Sequence, residues 1–430
     1  MKPGASSICK KRAMRYLMMM RCARALSSSF PHRISPRLRR VRAEGMPLHR
    51  HLLYCSLLLG LAGCSMFNWN KGEQTAEEQA VVSSIATEPV EQAPSELQLV
   101  WGVDVDQRRP LSPYSFAQPV QAGDLIVLTG QDSYAHIYNM QGSEVHRVAL
   151  HADGDSGGLA MSADLVVLSD AQGILYGIDP REGSILWEWK MSTAMFGHPV
   201  RIGDDLLVQT GDNSVYRISD KGEKLWSFSG PQAGLSMNSG PSPLVDGDVC
   251  YTVMTNGDAL ALRSDNGDLL WRRQLMLDND AVVLSELKTP LADPVLIGDV
   301  LVVSFYQGDL IGLSARDGQQ LWQRSLSLKS APLAHDGRLF AASNDSVLEL
   351  DPASGATLWK RKLDAGELVG PALAQAKLYV ADIRGNVFTL SLDGHVTGEL
   401  HLPGRVDRSP VVVAGGVLLR NNLGGLYLIR

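Results

Sequence analysis

Few residues in this 430-residue chain stand in a pattern that could do chemistry. The most suggestive is Gly154-Asp155-Ser156-Gly157-Gly158, the kind of pentapeptide that presents a nucleophilic serine. Such a serine needs a histidine base that is itself held by a carboxylate. Here both partners would have to be squeezed into the short stretch ahead of it. His136, His146 and His151, which lie nearby, fit no metal-ligand spacing and read as surface or packing residues. Asp153-x-Asp155 and Asp278-Asn279-Asp280 look like calcium ligands, but neither combines glycine at position six with glutamate at position twelve of an EF-hand loop. They read as solvated loop carboxylates. A Walker loop, an H-E-x-x-H pair and a Rossmann fingerprint are all missing. No metal and no catalytic residue is expected.

The elements that would position any site are written in a repeat. Glycine followed four residues later by tryptophan recurs as Gly183/Trp187, Gly222/Trp226, Gly267/Trp271, Gly318/Trp322 and Gly355/Trp359. Degenerate copies, Gly142 with His146 and Gly394 with Gly398, fall in step, and Trp101 sits one period before the first. The slots at 101, 146, 187, 226, 271, 322, 359 and 398 are 45, 41, 39, 45, 51, 37 and 39 residues apart, which makes eight repeats. Within one period, 293–327, four short β-rich runs are broken by Gly298-Asp299, Gln307-Gly308-Asp309 and Arg316-Asp317-Gly318. No helical stripe runs through it. The fold class is therefore all-β: an eight-bladed propeller of four-stranded antiparallel blades. The tryptophans Trp101, Trp187, Trp226, Trp271, Trp322 and Trp359 are expected to pack blade against blade rather than stack on a cofactor. After the last slot the chain offers three strands, Pro410–Val413, Val417–Arg420 and Leu426–Arg430, while Leu97–Val103 is a strand without a blade. Pairing the two ends closes the ring over residues 97–430 and leaves no open edge at the seam.

The amino end has a different character. Residues 1–45 hold twelve Lys or Arg against one acid, Glu44, with no apolar periodicity, and read as a miscalled, disordered upstream extension. Met46 then opens a segment with Arg50, an apolar run from Leu52 to Leu61, and Leu61-Ala62-Gly63-Cys64, so residues 46–63 read as a signal peptide. The tetrad resembles a bacterial lipobox, which implies acylation of Cys64. Removing residues 1–63 takes away thirteen of forty basic residues and one of forty-six acidic ones, leaving 27 against 45 and a net charge of −18. A surface that acidic repels phosphate backbones and argues against nucleic-acid binding. The Glu, Gln, Ala, Ser and Pro-rich stretch to Glu96 reads as a disordered tether reaching about 30 Å from the lipid anchor. Of the five cysteines, processing would leave only Cys64 and Cys250, so no disulfide is expected. Cys250, in the run Val249–Val253, reads as a small buried hydrophobe.

Leu348-x-x-Asp351-x-x-x-Gly355-x-x-x-Trp359 resembles the repeat of pyrroloquinoline-quinone (PQQ) proteins. The dehydrogenases of that group place a vicinal cysteine pair over the quinone and hold calcium with acidic and amide side chains. No two cysteines are adjacent here, so no cofactor is expected. The lipobox, the short acidic tether and eight repeats ending at the final strand are together similar to the BamB family, lipoprotein subunits of the outer-membrane β-barrel assembly machinery. That resemblance implies a non-catalytic scaffold at the periplasmic face of a Gram-negative outer membrane; Ser at 65 fits outer-membrane sorting.

The two longest spacings are consecutive and set enlarged connections, Phe228–Ser242 and Met276–Asp293, on either side of one blade. Long loops on a rigid scaffold are where binding usually resides. In the BamB family these loops carry the docking surface for the periplasmic domains of BamA, through a Leu-Ser-Leu-Arg and an Asp-x-Asp stretch. The first corresponds here to Leu235-Ser236-Met237-Asn238 and the second approximately to Leu284-Ser285-Glu286-Leu287-Lys288. Leu235, Met237, Asn238, Glu286 and Lys288 are thus the expected partner-binding residues, with the apolar half kept and the charged half rewritten. Direct holding of nascent outer-membrane proteins by β-augmentation is a second route to the same role. The alternatives are a small quinoprotein oxidoreductase and an envelope propeller that binds another protein or a glycan.

Overall fold

A computed structural model of the chain describes residues 97–105, 117–154, 156–231, 240–275, 290–306 and 308–430. Among them are eight four-stranded antiparallel sheets and no helix. These are the blades of a propeller: 120–149, 159–190, 200–229, 244–274, 295–325, 333–362 and 368–401 form blades 1 to 7. Blade 8 combines Val411–Val413, Gly416–Arg420 and Gly425–Ile429 with the N-terminal strand Leu99–Asp104. The expected architecture and closure are both found. Trp101 pairs with Leu428, Val103 with Leu426 and Asp104 with Gly425. Gln118 Nε2 donates to Ser409 O at 3.1 Å, and Arg420 Nη1 to Ala117 O at 3.0 Å, which binds blade 8 to blade 1.

The second strand of a blade is buried throughout, as in Leu125–Thr129 and Gly416–Arg420, or at all but its first residue, as in Asp205–Gln209, because neighbouring blades cover both of its faces. Outer strands such as Thr357–Lys362 alternate between half-buried and exposed residues. The apolar core is correspondingly divided. Eight clusters occupy the eight junctions between successive blades, with Ile137 and Tyr176 between blades 1 and 2, for example, and Tyr251 and Phe305 between blades 4 and 5. In blade 7, Val369-Gly370-Pro371 lies within the inner strand Leu368–Ala374, whereas in blade 6 Pro332 stands just before the strand. A register shift between Val369 and Ala372 lets the strand continue past a proline that cannot donate to the ladder.

The glycine and tryptophan of the repeat meet across the junction. Each slot residue packs on the motif glycine of the following blade: Trp101 on Gly142, His146 on Gly183, Trp187 on Gly222, Trp226 on Gly267, Trp271 on Gly318, Trp322 on Gly355 and Trp359 on Gly394. A Cβ on Gly318 would stand 2.6 Å from the Trp271 ring, and its φ of +69° is one that side chains avoid. The indole N–H donates to a carbonyl of the same turn, as from Trp187 to Asp220 O at 2.8 Å and from Trp322 to Pro352 O at 2.8 Å. Trp359 is the exception, with no acceptor among the described residues, while Leu392 O in that turn accepts from Arg338 Nη2. The blade 7 slot is Gly398, and Leu97 fills the space beside it. Burying one indole removes about 150–250 Å² from water, worth about 4–6 kcal/mol before entropy is charged. Arginines two residues after the slot add a second tie: Arg273 Nε donates to Gly318 O at 2.9 Å and Arg361 Nε to Gly394 O at 2.8 Å.

A register shift between the third and outer strands recurs beside each slot. The bulge turns the residue before the tryptophan outward, leaving Leu186, Leu225, Leu270, Leu321 and Leu358 exposed. In blade 1, His136 is fully buried between Glu144 Oε1 at 2.7 Å from Nδ1 and Asp132 Oδ1 at 3.0 Å from Nε2. Burial raises the Glu144 carboxyl, but hydrogen bonds from Arg147 and His136 outweigh it and leave its pKa lowered. Desolvation by burial, with Glu144 adding to it, pushes the Tyr138 hydroxyl up to about 12.

In urea, Trp322→Ala should cost about 3–5 kcal/mol and Gly318→Ala about 1–2 kcal/mol, whereas Leu321→Gln, one residue from the indole, should stay within about 0.5 kcal/mol. Equal costs at 321 and 322 would contradict the junction geometry. Because the folded pKa of Glu144 lies below its ordinary value of 4.5, its contribution is complete above that pH and is lost as pH falls through the folded value. Glu144→Gln should therefore be less stable near neutrality and flatten the stability curve below pH 4.5; an unchanged acid limb would refute the assignment. Burial raises the Cys250 thiol to about 12, so peptide mapping should find it unalkylated in the folded chain and alkylated after unfolding.

Candidate functional site

Every connection from an outer strand to the next inner strand emerges on one face of the ring, because strand direction alternates within a blade. On that face the central channel opens as a cavity of about 530 Å³, bordered by His198, Asp293, Lys329, Asp407, Arg408 and Val412 among others. Its cations are already paired. Lys329 Nζ lies 3.4 Å from Glu367, and the buried Arg408 contacts Asp407 at 2.5 Å. Cys250 is enclosed between blades 3 and 4 and does not line the channel. Among the described residues, no group of three His, Cys, Asp or Glu side chains could hold a metal ion. This donor set does not fit a quinone seated under vicinal cysteines beside calcium.

The residues of the serine pentapeptide stand apart from any base. Ser156 is buried, its Oγ 2.9 Å from Ser169 Oγ and donating to Ser169 O at 3.1 Å. Asp155, Asp278 and Asp280 lie outside the described residues, and Asp153 Oδ1 accepts from Ser133 Oγ at 2.7 Å. His146 fills a tryptophan slot, and the exposed His151 pairs with Glu188 at 3.2 Å. A second Ser, His and Asp meet at the channel mouth: Ser242 Oγ stands 2.8 Å from His198 Nδ1, and Asp293 Oδ2 stands 3.7 Å from the same nitrogen. A catalytic relay needs the serine and the carboxylate on opposite ring nitrogens. With both on Nδ1, the imidazole cannot carry a proton from one to the other.

The two long connections bracket blade 4. Leu235, Met237 and Asn238 in the first, Glu286 and Lys288 in the second, and Cys64 in the amino-terminal segment all lie outside the described residues. Their feet are well placed. Gly230 N donates to Asn213 O at 2.8 Å, and Asn213 Nδ2 donates to Pro231 O at 2.6 Å. At the far end, Ser242 N donates to Asp293 Oδ1 at 2.5 Å, and Leu291 and Ala292 are buried. Sequence reasoning did not single out Asn213, His198, Ser242 or Asp293. The one signal was the proline that follows His198, Ser242 and Asp293 in three successive repeats.

Comparison with known proteins agrees with the ring. The family model for outer membrane protein assembly factor BamB matches residues 98–360 and 343–428. The protein of that name from Yersinia pestis is 24% identical over 385 residues, covering 85% of this chain and 95% of its own length. The crystal structure of BamB from Moraxella catarrhalis superposes with a TM-score of 0.68 at 18% identity, over 78% of this chain and 99% of that one. A quinohemoprotein alcohol dehydrogenase from Pseudomonas putida HK5 shares the fold at a TM-score of 0.61 and 12% identity, over 80% of this chain and 77% of its own. With the family model spanning the ring from its first strand to its last, the chain belongs to the family of the outer membrane protein assembly factor BamB.

Proposed function

We propose that this protein is a non-catalytic subunit of the machinery that assembles β-barrel proteins in the outer membrane. It is held at the periplasmic face by acyl chains on Cys64 and docks the periplasmic domains of a BamA-type barrel protein. The observation that carries this reading is the pairing of a family-wide repeat with two consecutive long connections on one face, 230–243 and 275–294, on either side of blade 4. Relatives named as assembly factors support a scaffold rather than an enzyme. So does a channel whose charged groups neutralise one another. Affinity would come from Leu235 and Met237 at the centre of the patch, and orientation from Asn238, Glu286 and Lys288 at its rim. Nascent barrel strands are clients of the same complex.

Co-purification from solubilised outer membranes tests the reading. The chain should bring down a BamA-type barrel protein, and Leu235→Ala with Met237→Ala should weaken that association about tenfold or more, or roughly 1.4 kcal/mol. Recovery without any such barrel protein, or an undiminished yield from the double variant, would count against docking through this face. Cys64→Ala should move the chain from the membrane to the soluble periplasmic fraction.

A further inference from the structure

Six of the eight inner strands are entered through a proline, Pro119, Pro199, Pro243, Pro294, Pro332 and Pro410, and in blade 7 Pro371 lies within the strand. The residue before a proline is confined to an extended conformation, so its direction at the channel mouth is set by the backbone. In blades 6 and 7 this position carries Ala331 and Gly370, which have no polar side chain to offer. In blades 3, 4 and 5 it carries His198, Ser242 and Asp293. These are the three blades linked by the two long connections.

The three side chains form one cluster. Ser242, almost completely buried, accepts from the His198 backbone N–H at 2.8 Å and bonds His198 Nδ1 at 2.8 Å. The Ser242 backbone N–H donates to Asp293 Oδ1 at 2.5 Å, and Asp293 Oδ2 is 3.7 Å from His198 Nδ1. The approach is close enough to require glycine at 197, where a Cβ would lie 2.5 Å from Ser242 Oγ and 2.9 Å from its backbone nitrogen. Gly197 O in turn accepts from Gly157 N at 3.1 Å, which extends the tie back to blade 2. Ser242 closes the first long connection and Asp293 closes the second, about fifty residues later in the chain.

We infer that His198, Ser242 and Asp293 form a latch that fixes the carboxyl-terminal ends of both long connections to each other and to blade 3, and so sets the geometry of the docking face. The inference rests on the docking reading for its function but not for its existence. Asp293 supplies the acceptor that orders the Ser242 backbone, and the Ser242 hydroxyl orders His198, so loss of Asp293 loosens the ends of both connections and loss of the Ser242 hydroxyl frees the first from blade 3. They are positioning residues.

Hydrogen exchange of the full chain, read by mass spectrometry, tests the latch without any partner. Asp293→Ala should speed exchange by about fivefold or more in peptides covering 230–243 as well as in those covering 275–294, and Ser242→Ala, which keeps the backbone N–H but loses the hydroxyl, should do so in 230–243 and in peptides covering His198. Asp293→Asn, which keeps an acceptor oxygen, should stay close to the parent. Ser409→Ala, the same repeat position in blade 8, should change neither segment. All variants should keep the parent melting temperature within a few degrees, since the tryptophan junctions are untouched. Faster exchange confined to the connection that bears the substitution would overturn the latch. Titration with the periplasmic domains of the barrel protein separates the two readings. Coupled exchange with unchanged affinity removes the role in docking, while uncoupled exchange with binding still lost in the Leu235→Ala, Met237→Ala variant removes the latch and leaves docking intact.

Discussion

The whole structure depends on the junction between adjacent blades. A four-stranded sheet whose second and third strands are apolar on both faces cannot be stable in water alone, and each blade is covered only by its two neighbours. The indole of one repeat lies on the glycine of its successor, so every tryptophan needs a following blade and every motif glycine a preceding one. Such a chain of dependencies has no natural end except closure. The N-terminal strand provides it, since Leu99–Asp104 gives blade 8 its outer strand and lays Trp101 on Gly142 of blade 1. The Gln118–Ser409 bond spans 291 residues of sequence. Contacts of that separation slow folding, and here they follow from the decision to close a ring with strands from both termini.

Rigidity at the junctions leaves the connections free to vary. The tight turns between blade strands are fixed by the geometry of the sheet, whereas the outer-to-inner connections need only return to a fixed entry point. In blades 3, 4 and 5 that entry point carries polar side chains that bond one another, and between blades 6 and 7 Ser330 Oγ makes a simpler tie to Gly370 O at 2.8 Å. The channel beneath this mouth is lined by ion-paired cations, Lys329 with Glu367 and Arg408 with Asp407. It shares its fold with quinoprotein dehydrogenases but not their ligand set, so the chemistry of those relatives does not follow from the shared ring.

The fold was legible in the sequence because glycine and tryptophan are uncommon and their spacing survives in five repeats with little change. Even the degenerate slots, His146 and Gly398, lie where the period puts them, one packed on Gly183 and the other backed by Leu97. Other features were hidden for physical reasons. Leu186, Leu321 and Leu358 are apolar residues beside a tryptophan, yet the bulge turns them to solvent. The inner strand of blade 7 continues through Gly370-Pro371, whereas the proline of six other blades stands before the strand. The His198–Ser242–Asp293 cluster was unreadable because its members differ in type and lie in three repeats; only the proline after each is constant. The expected partner-binding residues from Leu235 to Lys288 belong to connections whose lengths, not their residue types, set them apart.

The role proposed for the closed ring is to present one face to a partner. An electron cryomicroscopy reconstruction of the complex taken from native outer membranes tests that most directly. The account predicts eight wedges with segments 230–243 and 275–294, on either side of blade 4, against the periplasmic domains of the barrel protein. A ring attached through its opposite face, or one carrying a redox group in the central channel, would contradict it.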